Sequence, residues 1–406
     1  MVKVLSSFVR GPLEPYVTGF AEELLRQGYS RSSAGQHVCF IAHLDRWMQA
    51  EGAGLGDLDG LVVERYLAER RAAGYREYRS AKALRPLLGY LAPLNVLPAP
   101  QPVRRDAVEE LLARYGDYLL VERGLTAGTV RGYVDCVRPF VVTRKRGDDV
   151  LDLAGMTAAD VTTFVLAACP GRAVGSAKLI VCALRSLLRW LHVIGVIPAP
   201  LATAVPAVAG WRLSGLPKAL EPGQLRRLLG ACDRRTPTGR RDYAIVLLLA
   251  RLGLRAGEVA RLGLDDVDWR RGEIAIVGKG NRAERLPLPA DVGAAITAYL
   301  RRGRPRTAEG RTVFVRVHAP HRALTTGGVT MVVFDAAQRA GLGNMHAHRL
   351  RHTAATEMLH AGSPLAEVGQ VLRHRSPLTT AIYAKVDRDA LVVLARPWPT
   401  TVGGVS

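Results

Sequence analysis

No stretch of the 406-residue chain approaches the roughly 18 uninterrupted apolar residues of a membrane-spanning helix. The first residues, MVKVLSSFVRGPLEPYV, show neither a long apolar run nor a small-residue cleavage pattern, so no secretory leader is expected. Cysteine is scarce and odd in number: Cys39, Cys136, Cys169, Cys182 and Cys232, with no C-x-x-C pair. Buried free thiols in a reducing, cytoplasmic compartment are the expectation. Acidic residues are few beside the basic ones, 36 Asp and Glu against 56 Lys and Arg, which leaves a net charge of +20. A global excess of that size favours a polyanionic partner, because neutralising phosphates releases their condensed counterions. Global disorder is excluded by the 48% of hydrophobic residues, enough to fill sizeable cores.

The first half of the chain echoes itself. Residues 83–88 read ALRPLL and 183–188 read ALRSLL; residues 96–100 read VLPAP and 196–200 read VIPAP, both at an offset of 100. Upstream, LLRQGYSRSSAGQH at 24–37 resembles LLVERGLTAGTVRGY at 119–133. Each copy outlines a helix, a Gly-Tyr-Ser or Gly-Leu-Thr turn whose hydroxyl can cap the next helix, and a final helix ending at proline. Matching order at near-constant offset points to duplication. Two helical domains are therefore expected, residues 1–102 and 103–203, followed by a Pro- and Gly-containing linker at 204–216. From 217 to 396 the pattern is mixed. LEPGQLRRLLGAC opens a helix with an early Pro222, RDYAIVLLLARLGL reads as a buried helix, and GEIAIVGKGNRAERLPLP alternates around a Gly-rich turn as a β-hairpin does. A basic loop, RRGRPR, and further helices follow, with a tail at 397–406. The fold class expected is mainly α with a small β-hairpin or sheet.

Four separated segments of the C-terminal half each carry groups suited to handling phosphate. LGLRAGEVARL holds Arg255, VGKGNRAERLPLP holds Lys279, HAHRLRHTAAT holds His348 and Arg351, and LRHRSPLTTAIYAKV holds His374 and Tyr383. Lys279 follows Arg255 by 24 residues, His374 follows His348 by 26, and Tyr383 follows His374 by nine. This set, in this order and spacing, resembles the Arg-Lys-His-Arg-His-Tyr signature of the tyrosine recombinases, also called phage-type integrases. The resemblance covers residues 215–396 in detail and the helical domain at about 106–200 in outline. It implies helical DNA-binding domains ahead of a mixed α/β catalytic domain.

The chemistry such residues support is consistent. Attack on a phosphodiester adds charge to its non-bridging oxygens, and two arginines, Arg255 and Arg351, can clamp them with permanently charged forks. Tyr383 is the candidate nucleophile, forming a phosphotyrosyl enzyme. Its ordinary pKa of about 10 calls for help, which neighbouring arginine charge and His348 as proton acceptor can supply. The resemblance implies that a lysine on a hairpin, here Lys279, protonates the departing 5′-hydroxyl, and that His374 donates to a non-bridging oxygen. The linkage conserves the energy of the cut bond, so neither ATP nor a metal is needed. Glu258, three residues after Arg255, is expected to orient that arginine rather than act as an acid.

His346, His348 and His352 lie close together, but no carboxylate or cysteine joins them at ligand spacing, and His352 is expected to serve the fold. Arg282 and Arg285 compete with Lys279 as the hairpin cation. Candidate phosphate-backbone contacts are Arg104, Arg105, Arg144, Lys145, Arg146, Arg212, Lys218, Arg282 and Arg373. Arg373 departs from the family's common Leu-Gly-His, placing a charge where DNA or a neighbouring subunit could meet it. The N-terminal domain is a second departure. The resemblance further implies double-stranded DNA as partner, gripped between the helical and catalytic domains, four protomers on two sites, docking of the segment after Tyr383 on a neighbour, and accessory DNA-bending or directionality proteins. An integrase or transposase-like role on a mobile element leads. A chromosome- or plasmid-resolving recombinase and a type IB topoisomerase share the chemistry, and a non-catalytic DNA-binding protein shares only the charge.

Overall fold

The computed structural model describes residues 9–99, 106–147, 150–209, 219–278, 283–373, 380 and 382–383. It is mainly helical, with two small antiparallel sheets among the described residues. By compactness the chain divides into two units, residues 1–100 together with 213–406, and residues 101–212. Apolar packing is finer-grained: separate cores form from residues within 9–97, 108–208 and 220–350, and a small one from 355–383.

The N-terminal core is built by α1 (Glu14–Arg26), α2 (Arg31–Ala50), α3 (Gly60–Ala72) and α4 (Arg85–Leu91). The fully buried Asp45 carboxylate accepts the backbone N–H groups of Arg10, Gly11 and Leu13 at 3.2, 2.8 and 2.9 Å, which ties the entry of α1 to the middle of α2. The second unit contains α5 (Ala107–Asp117), α6 (Ala127–Val142), α7 (Ala158–Ala168) and α8 (Val174–Val193), with a two-stranded ribbon of β1 (Lys145–Arg146) and β2 (Val150–Leu151).

The sequence echo has a counterpart in backbone geometry. Ser30 caps α2 by accepting the Ser33 N–H, and Thr126 caps α6 by accepting that of Thr129. The glycines two residues before these caps, Gly28 and Gly124, both take positive φ, +90° and +59°. At an offset of 100, Asn95 and Gly195 are both left-handed, with φ of +53° and +73°. The final helices differ in length: Pro86, near the start of α4, has no N–H to give to a preceding turn, whereas α8 carries Ser186 at the matching place and runs for 20 residues.

The C-terminal core is assembled on α10 (Pro237–Leu252), which follows α9 (Pro222–Gly230) and is buried on most of its surface. Around it pack α11 (Ala256–Arg261), α12 (Ala290–Arg302), α13 (Thr326–Arg339) and α14 (Ala347–His360), followed by α15 (Leu365–Val371). The expected hairpin forms: β4 (Glu273–Val277) pairs with β5 (Ala283–Pro287) and, on its other edge, with β3 (Val267–Asp268).

No helix among the described residues is long and apolar enough to cross a membrane. The thiols depart from expectation. All five are free, but only Cys232 is buried, while Cys39 and Cys182 are exposed because they fall on the outward faces of α2 and α8.

Candidate active site

The site begins where α10 stops. Gly253 takes a left-handed conformation, φ +56°, and turns the chain so that Arg255 becomes the N-cap of α11. Glycine is also required sterically: a Cβ there would lie 2.6 Å from Leu372 Cδ2 and 3.4 Å from Ala354 Cβ. Glu258, one turn into α11, accepts the Arg255 backbone N–H on Oε2 at 2.8 Å and Arg255 Nη1 on Oε1 at 2.7 Å. Burial pushes the Glu258 carboxyl up, but the Arg255 N–H and the Arg373 and Arg255 guanidiniums outweigh it and hold the group below its ordinary range. The carboxylate is thus ionised and bonded to the Arg255 backbone and guanidinium. The Arg255 side chain remains partly exposed, as a ligand-facing cation must be.

Arg351 lies opposite, on α14, and only 1% of it is exposed. Its Nη1 donates to the Gly253 carbonyl at 2.6 Å and its Nη2 to the Leu372 carbonyl. Burial and the Arg255 charge pull its pKa down to about 10, which still leaves it protonated at neutral pH. Two backbone carbonyls thus hold this buried guanidinium in place while the Arg255 charge opposes it.

Tyr383 sits in the small core with Ala355, Leu359, Val368 and Leu372 of its own chain. Its hydroxyl lies 2.8 Å from His352 Nδ1. The His352 and His348 rings meet edge to face, with centroids 4.5 Å apart, because residues four apart stack on one side of α14. Burial, His348 and Arg351 together depress His352 to about 4. His348 is depressed by burial, then by Arg351 and Arg255. Both rings are therefore neutral near pH 7, and neutral His352 can accept the tyrosine proton bond on Nδ1. Burial raises the Tyr383 pKa while Arg351 opposes the rise.

Sequence spacing thus brings Arg255, Glu258, His348, Arg351 and Tyr383 into one site. His352, expected to serve the fold, is the imidazole bonded to the tyrosine. His348, three residues before Arg351, stands at a position of the family signature, whereas only the packing of Tyr383 against α14 identifies His352, the residue after Arg351. Arg373 is a correction as well. Its side chain is only 4% exposed and turned inward, with Nη2 donating to Glu258 Oε2 at 2.9 Å, so it is not a surface contact for DNA. Its left-handed backbone, φ +56°, directs the side chain towards α11.

Lys279 and His374 lie outside the described residues, as do Arg104, Arg105, Arg212, Lys218 and Arg282. Arg285 on β5 is paired with Glu273 at 3.1 Å. In the helical unit Arg144 is largely taken up by Asp160 and Asp152, at 3.0 and 3.6 Å, and by the Asp152 carbonyl. Lys145 pairs with Asp106 at 3.3 Å and the exposed Arg146 with Asp152 at 2.8 Å. Charge concentrates around the site: residues 213–406 hold 30 Lys and Arg against 16 Asp and Glu, whereas residues 1–100 hold 12 against 10. Attraction for a polyanion therefore belongs mainly to the half carrying the tyrosine.

Comparison with known proteins agrees with this geometry. Residues 218–389 match the model of the phage integrase family. A Sinorhizobium fredii protein named as an integrase/recombinase, y4rA, is 43% identical over 400 residues, covering 97% of each chain. The tyrosine recombinase XerD of Listeria monocytogenes is 30% identical over 287 residues, 70% of this chain and 95% of that protein. Among solved structures, the XerH site-specific recombinase in a post-cleavage complex with its palindromic difH substrate matches 74% of this chain and 99% of its own, with a TM-score of 0.57 at 18% identity. The ordered set of arginines, histidine and tyrosine, and a relative matched along nearly its whole length, place the chain in the phage integrase family, the tyrosine recombinases.

Proposed function

We propose that the chain is a site-specific DNA recombinase that cuts and rejoins strands through a 3′-phosphotyrosyl link to Tyr383. The observation that carries this reading is the convergence of two arginine forks and a tyrosine hydroxyl already bonded to a neutral imidazole. In the proposed reaction the phosphate takes its place between Arg255 and Arg351, and the Tyr383 oxygen attacks phosphorus. The phosphotyrosyl bond forms as the bond to the 5′-oxygen breaks; the phenol proton passes to the neutral imidazole of His352, and the departing oxygen takes a proton from Lys279. His374 donates to a non-bridging oxygen. Attack by a 5′-hydroxyl of the exchanged strand reverses these steps, so no energy source is consumed. Double-stranded DNA is the partner. The active form is a tetramer on two sites, assisted by accessory DNA-bending or directionality proteins, with the exposed Lys145 and Arg146 among its backbone contacts.

Integration or transposition of a mobile element is favoured over chromosome or plasmid resolution, because the relative matched over 97% of both chains is named as an integrase/recombinase, whereas the XerD match leaves close to a third of this chain uncovered. The test is to incubate the protein with nicked duplexes bearing the DNA that flanks its own gene and separate the products on a denaturing gel. Wild type should give a covalent protein–DNA band, Tyr383→Phe none despite unchanged DNA binding. Arg255→Lys should fall by about 100-fold or more, since an ammonium cannot reproduce the fork. Equal bands from wild type and Tyr383→Phe would remove the tyrosine from its role.

A further inference from the structure

Arg373 occupies a conformation that argues for a purpose. Its φ of +56° is one a glycine adopts freely and a side chain resists. Its guanidinium is nonetheless buried, with Nη1 donating to the Val371 carbonyl at 3.1 Å and Nη2 to Glu258 Oε2 at 2.9 Å. Its Nε, also buried, has no partner among the described residues. The connection runs both ways, because Arg255 Nη2 donates to the Arg373 carbonyl at 3.3 Å. One carboxylate therefore sits between two guanidiniums, with Arg351 near enough that the other two arginines depress its ionisation. Three positive charges lie around one negative charge, with Glu258, Arg351 and Arg373 buried and Arg255 partly exposed, an arrangement that an incoming phosphodiester would relieve.

We propose that Arg373 is a positioning residue for strand cleavage: by sharing the Glu258 carboxylate with Arg255 it limits how far that carboxylate neutralises Arg255, whose fork stays aimed at the scissile phosphate. This rests on the reading of the site given above. Arg373 does not touch the DNA itself, since its side chain faces α11 and is almost wholly covered. Removing it leaves Glu258 still bonded to the Arg255 N–H and Nη1, so the fold keeps its partner for the buried carboxylate.

The experiment compares wild type, Arg373→Gly, Arg373→Lys, Glu258→Gln and the Glu258→Gln/Arg373→Gly double variant on the same nicked duplexes. It reads single-turnover cleavage rate, duplex affinity and thermal midpoint. Glycine suits the backbone, so Arg373→Gly should keep the wild-type midpoint and bind duplex within about threefold, yet cleave about 10–100-fold more slowly. Lysine, which retains the charge, should recover most of that loss. In the Glu258→Gln background, Arg373→Gly should add little, because its effect passes through that carboxylate. Cleavage by Arg373→Gly within twofold of a competent wild type would overturn the proposal. So would a loss matched by weaker duplex binding, which would make Arg373 a DNA contact, or a loss that tracks a fallen midpoint and is not rescued by lysine. A wild type that forms no covalent band would instead refute the reading of the site itself.

Discussion

The Tyr383 hydroxyl and His352 Nδ1 lie 2.8 Å apart, which makes His352 the imidazole on which the tyrosine rests. With its pKa near 4, His352 is a weak base and an effective acceptor, so it holds the phenol protonated and oriented instead of ionising it. A bound phosphate would offset the arginine charges and make the same ring more basic at the moment of attack. His352→Ala should slow covalent complex formation about 10–100-fold while leaving duplex affinity within about twofold. His352→Gln, which keeps an acceptor, should lose less. An unchanged rate in His352→Ala would show that the contact has no part in cleavage.

The same depression sets a pH dependence of stability. A histidine with a folded pKa of about 4 against an ordinary 6.5 resists the proton that the unfolded chain accepts. Stability is therefore full above about pH 6.5, declines as pH falls towards 4, and loses nothing more from this group below that. His348, shifted the same way, adds to the slope. After allowance for the partial exposure of His352, its share is about 1–2 kcal/mol. Denaturation at pH 7 and pH 4.5 should show a smaller difference for His352→Gln than for wild type.

Gly253 joins backbone geometry to the site. Gly253→Ala forces a side chain into φ +56° and against Leu372, and shifts the carbonyl that receives Arg351. A loss of about 2–4 kcal/mol in unfolding free energy is expected, from the backbone penalty and overpacking together. Denaturant midpoints measure it, and a loss under about 0.5 kcal/mol would contradict the close packing described.

Much of this site was legible before the structure. Arg255, His348, Arg351 and Tyr383 were marked by order and spacing, the β4–β5 hairpin by alternation around a Gly-rich turn, and the Ser30 and Thr126 caps by their place after a glycine turn. What was not legible depends on contacts between distant segments. His352 looks like one histidine among several until Tyr383 packs against α14. Arg373 looks like a surface charge until its left-handed backbone sends it to Glu258, 115 residues earlier. Arg144, read as a phosphate contact, is claimed by Asp152 and Asp160 once β2 and α7 fold beside it. The exposure of Cys39 and Cys182 is hidden from the sequence for a similar reason, since composition does not say which face of α2 or α8 a cysteine will occupy.

The most direct test of the account is to identify the residue that carries the DNA. The covalent complex formed on nicked duplexes would be digested with protease and nuclease and its modified peptide sequenced by mass spectrometry. The account predicts a nucleotide joined through its 3′-phosphate to Tyr383. An adduct on any other residue, or one joined through a 5′-phosphate, would contradict it.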